Sequence, residues 1–225
     1  SPGTHLQLHA FAATAGQRYY LKNLKPFNGS AEIYASDGLA IALLSGVGDS
    51  EFTIPADGTY YLAIRGYSSN IGPTDYAFRL FIATETTNSL SYGQTVTGSI
   101  DHPGDERRYT FTAQAGESIY FDGLAADNHS LFAKLTGPDG DAVGSLGGLY
   151  YYNQVNEDYG PFKLTRSGTY VLTVDGYGAA VGNFSLRIVN VDLAATLPLD
   201  ATVNGQLAPG TSAVLYTFDV TAGQR

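Results

Sequence analysis

Residues 1–18, SPGTHLQLHAFAATAGQR, return at 208–225 as APGTSAVLYTFDVTAGQR, and a third version, HPGDERRYTFTAQAGES, stands between them at 102–118. Gly16, Gly116 and Gly223 therefore mark one position of a unit repeated about every 100 residues, and such a period decides architecture before any local reading does. A unit of that length suffices for an independent core. The 225 residues divide accordingly into a first unit at 1–87, a complete second unit at 88–190, and the opening third of another at 191–225. GQTVTGSI at 93–100 and DATVNGQL at 200–207 are copies of an opening strand that has no counterpart ahead of Pro2, so the first unit lacks its first strand.

A second internal match identifies the building block. DGTYYLAIRGY at 57–67 and SGTYVLTVDGY at 167–177 share Gly, Thr, Tyr, Leu, Gly and Tyr in one register. Tyr60, Leu62 and Ile64 alternate with Tyr61, Ala63 and Arg65, and Tyr170, Leu172 and Val174 alternate with Val171, Thr173 and Asp175. A period of two is the signature of a half-buried antiparallel strand, and the exchange of Arg65 for Asp175 marks its outer face. Further strands carry Tyr76-Phe78-Leu80 and Phe184-Leu186-Ile188 inward, with Arg79 and Arg187 outward. His9, Phe11 and Ala13 correspond to Tyr109, Phe111 and Ala113 and to Tyr216, Phe218 and Val220. Asp37-Gly38 and Asp139-Gly140 are hairpin signals. With 27 Gly, 9 Pro and no helical stripe, the expected class is all-β, as tandem antiparallel, jelly-roll-like β-sandwich domains. Residues 84–89 and 190–197 read as linkers.

Composition narrows function chiefly by exclusion. A formal charge of −9 disfavours binding to a phosphate backbone, which needs clustered Lys and Arg, so nucleic acid is not an expected partner. No apolar run approaches the roughly 20 residues of a membrane-spanning helix. The chain has no Cys, which removes disulfides, thiolate catalysis and Cys-ligated zinc. It also has no Met, its first position included, and reads as a mature product or a window of a longer protein.

The succession GQTVTGSIDHPGDERRYTFTAQAGESIYFDGL, LFAKLTGPDGDAV, SGTYVLTVDGY and NFSLRIV resembles the bacterial pre-peptidase C-terminal domain, a β-sandwich module. The resemblance covers 88–190 fully, 1–87 without the first strand, and 191–225 as an opening. Where that family often has Asp-x-Asp before the aromatic strand, this chain has Asp105-Glu106-Arg107-Arg108-Tyr109. The resemblance implies an accessory module of secreted or surface-attached bacterial proteins, found beside proteases and in tandem within large extracellular chains.

His9 stands where the other copies have Tyr, and His5, His102 and His129 have no His counterpart in another copy, so no catalytic residue is assigned. HExxH, GxSxG and P-loop patterns are absent from the sequence. Asp139 and Asp141 of the PDGD hairpin are candidates for calcium, a cation taken by oxygen ligands, as are Asp101, Asp105 and Glu106 after the first strand. The plainer reading is that Asp139-Gly140 makes a turn, and no cofactor is expected. Tyr150, Tyr151 and Tyr152 are consecutive, so at least one faces outward, where it can stack on a sugar or anchor a protein.

Function is therefore expected to be non-catalytic, as a spacer, adhesion or filament-forming segment of a secreted or cell-surface bacterial protein. The alternative is a carbohydrate- or peptide-binding accessory module of a secreted enzyme. A further expectation concerns the ends: residues 196–207 carry the strand the first unit lacks, which points to head-to-tail self-association by strand complementation.

Overall fold

A computed structural model describes residues 6–44, 48–67, 69, 72–147 and 153–223. The described residues are strands joined by turns, with two short 3-10 segments and no α-helix. The chain forms two compact units, one of residues 1–84 and 102–105, the other of 85–101 and 106–225. The His102–Asp105 turn falls in the first unit and the C-terminal segment in the second.

The first unit contains β1 (Leu6–Ala13), β2 (Arg18–Lys25), β3 (Gly29–Ala35), β4 (Ala40–Leu44), β5 (Ser50–Thr53), β6 (Gly58–Gly66) and β7 (Ala77–Ala83). They build one sheet in the order β1-β6-β3-β4 and another in the order β5-β2-β7, all antiparallel. The sandwich core is Tyr19, Leu21, Ala31, Ile33, Phe52, Ile54, Tyr60, Leu62 and Ile64, the inward set that the period of two assigns on β6. Asp37-Gly38 closes the β3–β4 hairpin, where Gly38 takes a φ of 85° that a side chain would resist.

The second unit contains β8 (Glu85–Ser89), β9 (Val96–Ile100), β10 (Glu106–Ala113), β11 (Ser118–Ala126), β12 (Leu131–Thr136), β13 (Tyr159–Lys163), β14 (Gly168–Gly176) and β15 (Gly182–Asn190). Its sheets run β12-β14-β10-β8 and β13-β11-β15-β9. Leu131, Leu135, Leu172, Val174, Leu186 and Ile188 are fully buried between them. Tyr60 and Tyr170 repeat one device: each hydroxyl donates to the carbonyl four residues upstream, of Ala56 and Arg166, at 2.7 Å. A buried phenol is thereby satisfied while its ring fills the core.

Residues 85–89 are not a linker. They form β8, which pairs parallel with β10, Asn88 opposite Tyr109, so the expected all-antiparallel sandwich has one parallel edge. The same pairing recurs between β16 (Ala195–Thr196) and β17 (Tyr216–Thr217), Ala195 opposite Tyr216. The next hydrogen bond also recurs: Leu90 N donates to Thr110 O at 2.8 Å, and Leu197 N to Thr217 O at 2.7 Å. The third copy thus begins to fold by the rule of the second.

Candidate functional site

What each sandwich builds with its charged residues is a socket for a Pro-Gly turn. In the first unit the chain leaves at Thr84, forms β8 and β9, and returns at His102–Asp105 before β10 begins. Asp105 has no exposed surface. Its Oδ1 accepts from Thr84 N at 2.6 Å and Thr84 Oγ1 at 2.8 Å, and its Oδ2 from His102 N at 3.0 Å. Burying a carboxylate is costly unless such donors meet it, and these arise from the residue after β7 and from the turn's own first residue. Asp105 N returns a bond to His102 O at 3.1 Å. Gly104 is needed on two counts, a φ of 83° and a backbone so close that a Cβ would lie 3.1 Å from Ala83 Cβ and 3.2 Å from Tyr20 Cβ. The His102 ring packs near Phe81, centroids 5.9 Å apart, and Arg79 lies 4.5 Å over the same Phe81 ring.

The second unit holds the corresponding turn, Pro209–Ala213, with the carboxylate moved to the other side. Ser212 N donates to Pro209 O at 2.9 Å, one residue further along from the Pro-Gly pair than the bond from Asp105 N to His102 O, so the residue that follows Pro-Gly is Asp105 in one turn and Thr211 in the other. The Ser212 hydroxyl is buried without a hydrogen-bond partner. The acid comes instead from β11: Asp122, fully buried, accepts from Arg187 Nε at 2.5 Å and from Ala213 N at 3.1 Å. Arg187 Nη2 also donates to Ala213 O at 2.7 Å, and Thr211 Oγ1 to Leu124 O at 2.7 Å. In the first unit Lys22 faces Arg79 at the register where Asp122 faces Arg187. Burial pushes the Asp122 carboxyl above the ordinary range, while Arg187 and the Ala213 amide pull it back and Asp158 adds to the rise. Arg187, expected to point into solvent, is partly covered by this contact.

Chemically the two sockets fix a backbone, their carboxylate oxygens taken up by amide, hydroxyl and guanidinium donors. The residues singled out in the sequence lie elsewhere. Asp139 pairs with Arg166, whose Nη2 is also 4.0 Å from Asp141. Asp101 pairs with Arg107 at 3.1 Å and Glu106 with Arg108 at 2.8 Å. Among the described residues no three His, Asp or Glu side chains converge as a metal site would require. Tyr150, Tyr151 and Tyr152 lie outside the described residues. Asp122 could have been noticed in the sequence as a lone acid in the apolar run YFDGL, but its partner Arg187 is distant in the chain.

No protein-family model and no curated protein matches the chain. Solved structures similar to it include PliG of Aeromonas hydrophila, a periplasmic inhibitor of g-type lysozyme, at 16% identity and a TM-score of 0.34, covering 48% of this chain and 98% of that one. The pre-peptidase C-terminal domain of a Bacillus anthracis collagenase matches at 17% identity and 0.29, covering 46% and 95%. The human MASP-1/3 CUB1-EGF-CUB2 fragment matches at 10% identity and 0.28, covering 84% and 94%.

Proposed function

We propose that this chain is a non-catalytic run of tandem β-sandwich modules, a spacer within a secreted or cell-surface bacterial protein. One observation carries the reading: the block of opening strands and Pro-Gly turn occurs twice, and both times a compact sandwich takes the turn into itself, through Asp105 in one case and Asp122 in the other. A chain that threads back into one module before building the next is suited to bearing load along its length. The compartment and the bacterial source are carried over in this proposal from the resemblance of residues 88–190 to the pre-peptidase C-terminal module.

Single-molecule extension of the full chain tests the proposal. Two unfolding events are expected, releasing roughly 300 Å and roughly 400 Å, the reach of about 88 extended residues in the first unit and about 125 in the second up to its anchored Ala213. Featureless extension overturns the reading, and so does saturable binding of a glycan or peptide by the intact chain that is lost when Tyr150, Tyr151 and Tyr152 become Ala.

A further inference from the structure

The outer face of the β12-β14-β10-β8 sheet is hollowed by a trough of about 370 Å³, lined by Glu106, Arg108, Lys134, Thr136, Thr173 and Asp175 with Val171 among them. Alternation puts these residues there: Leu131, Ala133 and Leu135 on β12, Leu172 and Val174 on β14, and Tyr109 on β10 take the core, so the residues between them face out. The register gathers them into rows. Phe132 lies opposite Asp175 and Asp175 opposite Glu106; Lys134 lies opposite Thr173 and Thr173 opposite Arg108; Thr136 lies opposite Val171. Rows on one face of a sheet are about 7 Å apart, so three of them extend roughly 14 Å, room for about three sugar rings in line.

The trough is polar, balanced in charge and partly fixed in place. Glu106 and Asp175 offset Arg108 and Lys134, and Arg108 is braced between Glu85 at 2.7 Å and Glu106 at 2.8 Å. Donors and acceptors that are already held lose less freedom when a ligand arrives. At one end stands an aromatic pair: Tyr177, 56% exposed, meets Phe132 edge-on, with ring centroids 6.4 Å apart at 75°. The backbone sets the Tyr177 ring there, since Tyr177 N donates to Ser130 O at 2.9 Å.

The first sandwich repeats the hook without the trough. Tyr67 N donates to Asn28 O at 3.1 Å and the Tyr67 ring is 49% exposed, but Leu8, Ala63, Tyr61, Tyr34 and Ser30 occupy the positions of Arg108, Thr173, Val171, Thr136 and Phe132. The polar rows are therefore a property of the second unit, and a sandwich of this kind is built without them.

The lining selects the chemistry of what it takes. With Val171 as its one aliphatic residue, it gives a protein partner little apolar surface to bury at the centre of an interface. With no net positive charge, it gives a polyanion nothing to neutralise. A neutral sugar chain matches it: hydroxyls exchange hydrogen bonds with carboxylate, guanidinium, ammonium and threonine groups, and the C–H face of a ring lies against an exposed tyrosine. We propose that this trough binds an extended, neutral oligosaccharide, one ring against Tyr177 and Phe132 and the following rings laid across Asp175, Thr173 and Thr136, with Lys134 and Arg108 on either side. This adds a ligand to the spacer reading and does not depend on it.

Calorimetric titration of the full chain with cellohexaose and with chitohexaose tests the proposal. Saturable binding of at least one, at one site per chain, is expected. Tyr177→Ala should weaken it roughly tenfold, with an unchanged unfolding temperature because the ring is exposed. Thr173→Arg, which fills the middle row, should abolish it, whereas Tyr67→Ala should leave it as it is. The triple variant with Tyr150, Tyr151 and Tyr152 changed to Ala should bind as the wild type does. No saturable binding of either sugar overturns the proposal, and so does a dissociation constant unmoved by Tyr177→Ala or by Thr173→Arg. Absence of binding leaves the two unfolding events of the spacer reading untouched. Binding that survives Tyr177→Ala and is lost in the triple variant overturns both.

Discussion

Removing the Asp105 carboxylate should open the first sandwich locally at the residues it binds. Asp105→Ala deletes an acceptor that meets Thr84 N, Thr84 Oγ1 and His102 N within 3.0 Å and has no exposed surface. Two backbone amides lose their partner in a buried site, at about 1–3 kcal/mol each, and relief of burying the carboxylate offsets part of this, leaving about 2–4 kcal/mol. A global melt is a poor readout because two units need not unfold together. Hydrogen exchange at Thr84 and across 102–105 reads the local opening directly, and the estimate corresponds to an acceleration of roughly 30- to 1000-fold where 1.4 kcal/mol is tenfold. Asp105→Asn should fall between, because its amide nitrogen presents a donor to one of the donors already there. The exchange of the 208–216 peptide should not move. Acceleration below about threefold in Asp105→Ala, or full rescue by Asn, would refute the view that the charged acceptor holds the turn.

Other consequences follow from the same two sockets. Gly104→Ala should destabilise the 102–105 turn by about 1–3 kcal/mol, and by more than Gly116→Ala, which shares the positive φ but meets nothing within 4 Å; comparative hydrogen exchange separates clash from backbone strain. Ser212→Ala should leave the 208–216 peptide as protected or better by up to about 1 kcal/mol, because it removes a buried hydroxyl that has no partner. Asp122 should titrate above the ordinary carboxylate range and Asp75, held down by Lys25, below it, as side-chain carbon chemical shifts will show. For Asp122 the folded state binds the proton more tightly than the unfolded one. Its contribution to stability is therefore full below the ordinary carboxylate range and declines as pH rises through the raised value. Millimolar calcium should leave the unfolding temperature unchanged, because Arg166 already pairs with Asp139 and lies 4.0 Å from Asp141; a clear rise would favour calcium there.

The sandwich was legible because its determinants are local and periodic. Alternation along 59–65 and 169–175 assigns Tyr60, Leu62, Ile64 and Tyr170, Leu172, Val174 to the core, and Asp37-Gly38 places its hairpin, with no knowledge of what lies opposite. β8 was illegible for the converse reason. ETTNS is exposed at every position, so it carries no apolar alternation, and it is a strand only because β10 offers it an edge. Asp122 and Arg187 fail in the same way, since a charge on a strand reads as outward until the segment that covers it is known.

The exchange of acids between the sockets shows why a repeat is a better guide to backbone than to side chains. Both turns keep the same i to i−3 amide bond and both are held by a buried carboxylate, yet the carboxylate sits on the turn in one unit and on β11 in the other. A turn held inside a sandwich constrains the number of donors and acceptors in its socket, and either side can supply them. Aligning copies residue by residue therefore reports Asp105 against Thr211 and Lys22 against Asp122 as two unrelated losses. Counted as hydrogen-bond partners they are one compensated exchange. Ser212→Asp together with Asp122→Lys should then fail to transplant the first socket into the second, because Asp192, past the last strand, has its amide on Asn190 Oδ1 at 2.9 Å and its carboxylate on Ser118 N at 2.8 Å, and offers the new acid nothing like the two donors of Thr84. Protection of the 208–216 peptide equal to the wild type's in that double variant would show that the donors of the last strand do not choose the position of the acid.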